Sequence, residues 1–223
     1  MDIKMPDLND YNISNPGEMA LYHAYCDFYP FRSVLETINE AISSTVSVYG
    51  NQVDIAREEN DILVENQAMT NGALFLARVT PLVFYSVVLT MVSVLEEFFN
   101  TLCRAYYIMN KYSISQKDIS GQGLERAILY LDKVVGVKNI KNDANWEYVK
   151  TIRDARNIIV HNGGNVSKSD IKKFEKFGIY VDDESNKMFF EYHDLLKMYE
   201  SIIEFIDRVF KKEPNDHSDV IIN

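Results

Sequence analysis

Apolar residues recur at three- and four-residue intervals along most of this chain, the period of an α-helix that buries one side. The longest such pattern runs from residue 80 to about residue 112. At about 100° per residue, Phe84, Val87, Val88, Met91, Leu95, Phe98, Phe99, Leu102 and Tyr106 share one arc, while Ser86, Ser93, Glu97, Asn100 and Arg104 share the opposite one. Upstream, residues 19–66 read as one or two helices interrupted at Tyr29-Pro30, because proline disfavours a helical residue before it. Thr80-Pro81 fits either a cap with a first-turn proline or a kink in the long helix. Downstream, the pattern predicts a helix over 124–135 closed by Gly136, then one over 145–161 that stops at Asn162-Gly163-Gly164. A short helix over 167–178 and a last helix over 193–212 follow. Only residues 179–192 alternate with period two, around Asp182-Asp183-Glu184-Ser185-Asn186, as a small hairpin would.

The expected fold is therefore all-α: a helical bundle with a long antiparallel helix pair and a small β-hairpin before the last helix. Residues 1–18 are polar and turn-rich, and 213–223 read as a loose tail. No Pro-, Gly- or Ser-rich linker divides the 223 residues, so one domain over 1–223 is expected.

Composition narrows the functional classes. Hydrophobic residues at 47% and charged residues at 25% suit a globular protein with a full core. The 12 Phe and 14 Tyr are many for this length and leave aromatic surface for a partner. Cys26 and Cys103 both sit in apolar helical surroundings, which predicts reduced core thiols in a cytoplasmic protein. Residues 1–18 hold no apolar run, so no secretory signal is expected. Residues 79–95 carry no charge and approach the length of a membrane span, but their amphipathic arc assigns them to a core, and no membrane partner is expected. A formal net charge of −10 gives no general attraction to nucleic acid. RNA would have to meet a local basic cleft, because counterion release depends on the charges in the contact.

The stretch RDARNIIVHNGG, residues 153–164, holds the candidate chemistry. Tyr148, Val149, Ile152, Ala155, Ile159 and Val160 share an arc of about 140°, and Arg156 projects from its middle. A guanidinium on a buried face keeps its proton, so it calls for a carboxylate or an anionic ligand. Lys150, Arg153, Asn157 and His161 form an adjacent polar stripe. On an ideal helix Arg156 and His161 point about 140° apart, so they converge only if the helix end unwinds or two copies meet. Two readings stand at this point. Arg156 forms a core salt bridge and His161 complements the helix dipole, or both belong to a site.

Arg156-Asn157-Ile158-Ile159-Val160-His161 resembles the Arg, polar residue, short spacer, His signature of the HEPN superfamily, the higher eukaryote and prokaryote nucleotide-binding domains. The asparagines after the arginine and after the histidine, Asn157 and Asn162, fit the same pattern. SVLEEFFN, residues 93–100, resembles the acidic position on the long helix of that family, with Glu96 as the match and Glu97 beside it. The resemblance extends over about residues 79–210 and leaves the first 70 unmatched. It implies a compact all-α protein, commonly dimeric, and a metal-independent ribonuclease of the kind found in toxin-antitoxin and antiviral defence systems. On that reading His161 is the acid or base, Arg156 the phosphate clamp, Asn157 a positioning group and Glu96 an orienting carboxylate. Lys150, Arg153 and Asn162 are the substrate-binding candidates, and no cofactor or metal is implied. RNA, a second copy and a possible antitoxin or partner protein are the implied partners. The alternative is a non-catalytic module of the same fold that binds a nucleotide, RNA or a protein.

Other motifs carry less. His23 and Cys26 are ligand types at close spacing without a second pair, so a packed helix face is the expectation. His193 precedes Asp194, a cap for the last helix. Gly121-Gln122-Gly123 lacks the strand and helix context of a phosphate loop. Phe98-Phe99 and Tyr106-Tyr107 are expected in the core or at a dimer surface.

Overall fold

The computed structural model describes residues 7–12, 14–138 and 140–210, without the side chains of Pro16 and Phe210. Within them the chain is all-α apart from one two-stranded hairpin. The helices are α1 (Pro16–Glu58), α2 (Ile62–Leu74), α3 (Thr80–Met109), α4 (Gly123–Tyr130), α5 (Trp146–Asn162), α6 (Ile171–Glu175) and α7 (Tyr192–Phe210). Strands β1 (Tyr180–Val181) and β2 (Met188–Phe189) pair antiparallel between α6 and α7, with Tyr180 opposite Phe189 and Val181 opposite Met188. The predicted tail 213–223 lies outside the described residues.

Two boundaries differ from the sequence pattern. Helix α1 runs unbroken through Pro30. A mid-helix proline costs about 3 kcal/mol, and α1 buries Ala20, Leu21, Ala24 and Phe28 before it and Leu35 after it, which outweighs that cost at about 1.5–3 kcal/mol per large side chain. The break falls instead at residues 59–61, where Asn60 takes φ 56° and the Asp61 carboxylate accepts from Leu63 N and Val64 N at 3.1 Å each. Across this turn α1 and α2 are antiparallel, since Arg57 meets Glu65 and Tyr49 meets both Gly72 and Phe75. At Thr80-Pro81 a single π turn, Phe75–Val79, joins α2 to α3. There Thr80 N and Oγ1 both reach the Phe75 carbonyl, and Pro81 sits where the ladder is already widened. Ile62–Met109 is thereby one helical run, long and apolar enough by composition to cross a membrane.

The described residues form two compact units, each assembled from separate stretches. One contains the chain up to Phe28, Val94–Glu147 and the part from Ser201 onward. Its core joins Phe28 to Leu95, Phe99, Leu102, Cys103, Leu124, Ile128, Leu131, Ile202 and Phe205. Trp146 stacks on Phe205 at 5.5 Å, and Phe205 also meets Phe99 at 6.0 Å. The Tyr25 hydroxyl donates to Asp207, and burial together with that carboxylate pushes its pKa up.

The other unit contains Tyr29–Ser93 and Tyr148–Glu200. Val88, Met91 and Val92 of α3, Val149, Ile152 and Ala155 of α5, and Leu195, Met198 and Tyr199 of α7 are all fully enclosed. Phe174 of α6, Val181 and Met188 of the hairpin close this core.

Candidate functional site

Helix α5 enters its unit at Tyr148, whose ring stacks on Phe177 at 5.5 Å with Lys197 Nζ 5.3 Å above it. Burial pushes the Tyr148 hydroxyl well above its usual pKa, and the Asp194 charge adds to this. Tyr148, Val149, Ile152, Ala155 and Ile159 are buried as the period requires. Val160 is not: it is half exposed. The buried face narrows where α5 ends, and Val160, about 100° around from Ile159, falls outside it.

Arg156 is half-buried, and its environment is specific. Its Nη1 donates to Asn157 Oδ1 at 3.0 Å, while its Nε is buried with no hydrogen-bond partner among the described residues. Asn157 thus holds the guanidinium from the next position along the helix. Glu96, the expected carboxylate, belongs to the other unit, where its Oε1 lies 2.7 Å from the Cβ position of Gly123.

His161 and Asn162 are exposed at the end of α5. Two left-handed glycines stop the helix, Gly163 at φ 60° and Gly164 at φ 88°. Gly163 N donates to Ile159 O at 3.1 Å and Gly164 N to Ile158 O at 3.3 Å. Asn162 O then accepts from Asn165 N at 3.1 Å and Asn165 Nδ2 at 2.7 Å. The turn is fixed from outside as well. Met188 N donates to Gly164 O at 2.9 Å, and Met188 O accepts from the Tyr85 hydroxyl at 2.6 Å. Tyr85 lies so close to Gly164 that a Cβ there would overlap its ring and oxygen. Tyr85 and the hairpin therefore set where His161 is presented; the hairpin was legible in the sequence, whereas Tyr85 drew no attention there.

The basic stripe is partly neutralised. Arg153 Nη2 and Nε donate to Asp154 Oδ1 at 2.7 and 3.1 Å, and Lys173 of α6 donates to Asp154 Oδ2. Burial pushes the Asp154 carboxyl up, but the hydrogen bonds and charges of Lys173 and Arg153 outweigh it and hold the group below its ordinary value. Sequence reasoning missed Asp154 because its second partner comes from another helix. Lys150 is half-buried on the same stripe.

The remaining candidates resolve as structural groups. Asp194 accepts from Glu191 N at 2.8 Å at the start of α7, the capping role expected, and His193 Nε2 lies 3.3 Å from Asp194 Oδ1. Cys103 is buried, and burial pushes its thiol up to about 12. Cys26 is only half-buried, which corrects its placement in the core. Among the described residues no three His, Cys, Asp or Glu side chains cluster as a metal site requires, His23 and Cys26 included. Comparison with family models, with curated proteins and with solved structures finds no match to this chain.

Proposed function

We propose that α5 carries a metal-independent endoribonuclease site in a cytoplasmic protein of the toxin or phage-defence type, with Arg156, Asn157 and His161 as its core. The observation that carries this reading is the Nε of Arg156, buried and without a hydrogen-bond partner among the described residues. An ionised donor left unsatisfied costs free energy that an anion would recover, and a guanidinium is shaped for the oxygens of a phosphate. The exposed His161, five residues on, is the side-chain type suited to proton transfer near neutral pH.

In this reaction a base removes the proton from the substrate 2′-hydroxyl, and that oxygen attacks the adjacent phosphorus. The bond to the 5′-oxygen breaks, that oxygen takes a proton, and the products are a 2′,3′-cyclic phosphate and a 5′-hydroxyl. Arg156 stabilises the charge on the phosphoryl oxygens, with Asn157 positioning it. Lys150, Arg153 and Asn162 border the path of the RNA backbone. A second copy presenting its own α5 would bring two sets of these groups to one cleft.

The test is cleavage of RNA by wild type and by His161→Ala, with excess EDTA and with a 2′-deoxy scissile nucleotide. Cleavage that persists in EDTA, stops at the deoxy position and disappears in His161→Ala supports the reading. Magnesium dependence or an active His161→Ala chain overturns it. RNA binding without cleavage by the wild type leaves the non-catalytic binding module as the better account.

A further inference from the structure

We propose that the arm formed by the far half of α1 with α2 is a self-association surface, seated in the assembled protein against the same arm of a second copy. The arm lies within one unit and spans residues 38–79. Among those residues only Ala56 and Ala68 are buried. Two alanines bury little of what is needed to hold two helices of this length together, since short helices in water depend on packing. Val48, Ile55, Val64 and Leu74 are instead about half exposed.

These four define one face. Val48, Gln52 and Ile55 follow i, i+4, i+7 spacing on α1, and Val64, Gln67, Asn71 and Leu74 follow i, i+3, i+7, i+10 on α2. Between them runs a groove of about 400 Å³ lined by Gln52, Ile55, Val64, Gln67, Ala68 and Asn71. A helical hairpin with an apolar, grooved face is half of a four-helix bundle.

The chemistry of the face selects a second copy as its occupant. The six residues that line the groove carry no acidic or basic side chain, and Glu65 of α2 is paired with Arg57 of α1 at 2.6 Å. An uncharged face does not select a partner of opposite charge. The carboxamides of Gln52, Gln67 and Asn71 each both donate and accept, so the same groove turned through a two-fold axis satisfies them. A lipid would leave them unpaired. Helices of about 20 residues are about 30 Å long, and two side by side offer roughly 600 Å² per copy. That gives about 1,200 Å² in total, the lower end of a standard stable interface.

The test is charge repulsion and its rescue. Gln52→Glu with Gln67→Glu places carboxylates in the groove, and Gln52→Lys with Gln67→Lys places ammonium groups there, all at surface positions. Sedimentation of the full chain at about 10 μM is expected to show each double variant at half the wild-type mass with unchanged helicity. An equimolar mixture of the two is expected to regain the wild-type mass as a heteromer. This readout is independent of RNA cleavage, and it holds whether or not copies also meet through α5. A monomeric wild type, variants of unchanged mass, or a mixture that does not associate overturns the proposal. So does wild-type protein that floats with phosphatidylcholine vesicles while the variants do not, because the face would then be lipid-seeking.

Discussion

Gly164→Ala tests how the end of α5 is held. The residue is left-handed, φ 88°, and a Cβ built on it would overlap Tyr85. The backbone term is about 1–2 kcal/mol for an L-residue in this region. The overlap displaces a buried tyrosine whose hydroxyl donates to Met188 O at 2.6 Å, and a buried hydrogen bond lost in this way costs about 1–3 kcal/mol. The expected loss is therefore about 2–5 kcal/mol, or a melting temperature lower by about 10 °C in a chain of this size. Gly163→Ala is the control. It carries the same kind of backbone strain, φ 60°, but meets nothing within 4 Å, so about 1 kcal/mol is expected. Urea denaturation followed by circular dichroism measures both. Adding Tyr85→Phe removes the closest overlapping atom, so the Gly164→Ala cost is expected to fall by about 1 kcal/mol in that background. Equal losses for the two alanine variants, within about 0.5 kcal/mol, would show that Tyr85 does not constrain this turn.

Arg156→Met keeps the side-chain stem as far as the Nε position and removes a buried donor that has no partner among the described residues. Stability is expected to stay within about 1 kcal/mol of wild type while RNA cleavage is lost, and a large destabilisation would reveal a partner for that guanidinium. Because the folded-state pKa of Asp154 is depressed, its contribution is present above the unfolded value of about 3.9 and is lost as pH falls through the lower folded value. Asp154→Asn should thus be less stable than wild type at neutral pH, and the gap should close in strong acid; a gap independent of pH contradicts the linkage. Cys103, buried and with its thiol pushed up to about 12, should react with a disulfide reagent near pH 8 only as the protein unfolds, whereas the half-buried Cys26 should react in the native state. Equal labelling rates would place Cys103 at the surface.

What the sequence determined by itself is the one-dimensional part. The recurrence of apolar residues on α3, α5 and α7 settled an all-α fold, because each helix needs one continuous buried stripe whatever it packs against. Asn162-Gly163-Gly164 marked the end of α5 because only glycine enters the left-handed region at little cost. The hairpin around Asp182–Asn186 was legible for similar local reasons: Asp182 accepts from Ser185 N at 2.7 Å, three residues on. Arg156 and His161 stood out through their residue types, and Asn157 as the neighbour that now holds Arg156. Tertiary structure alone decided the rest. Pro30 did not break α1, since residues buried on both sides of it outweigh one missing hydrogen bond. Val160 lay at the margin of a buried stripe, and whether such a residue is covered depends on what arrives beside it. Asp154 acquired its second partner from 19 positions along the chain. Gly163 and Gly164 are identical in type and adjacent in sequence, yet Tyr85 crowds only one of them. That distinction comes from a side chain whose own hydrogen bond spans 103 residues, a separation over which no local pattern carries information.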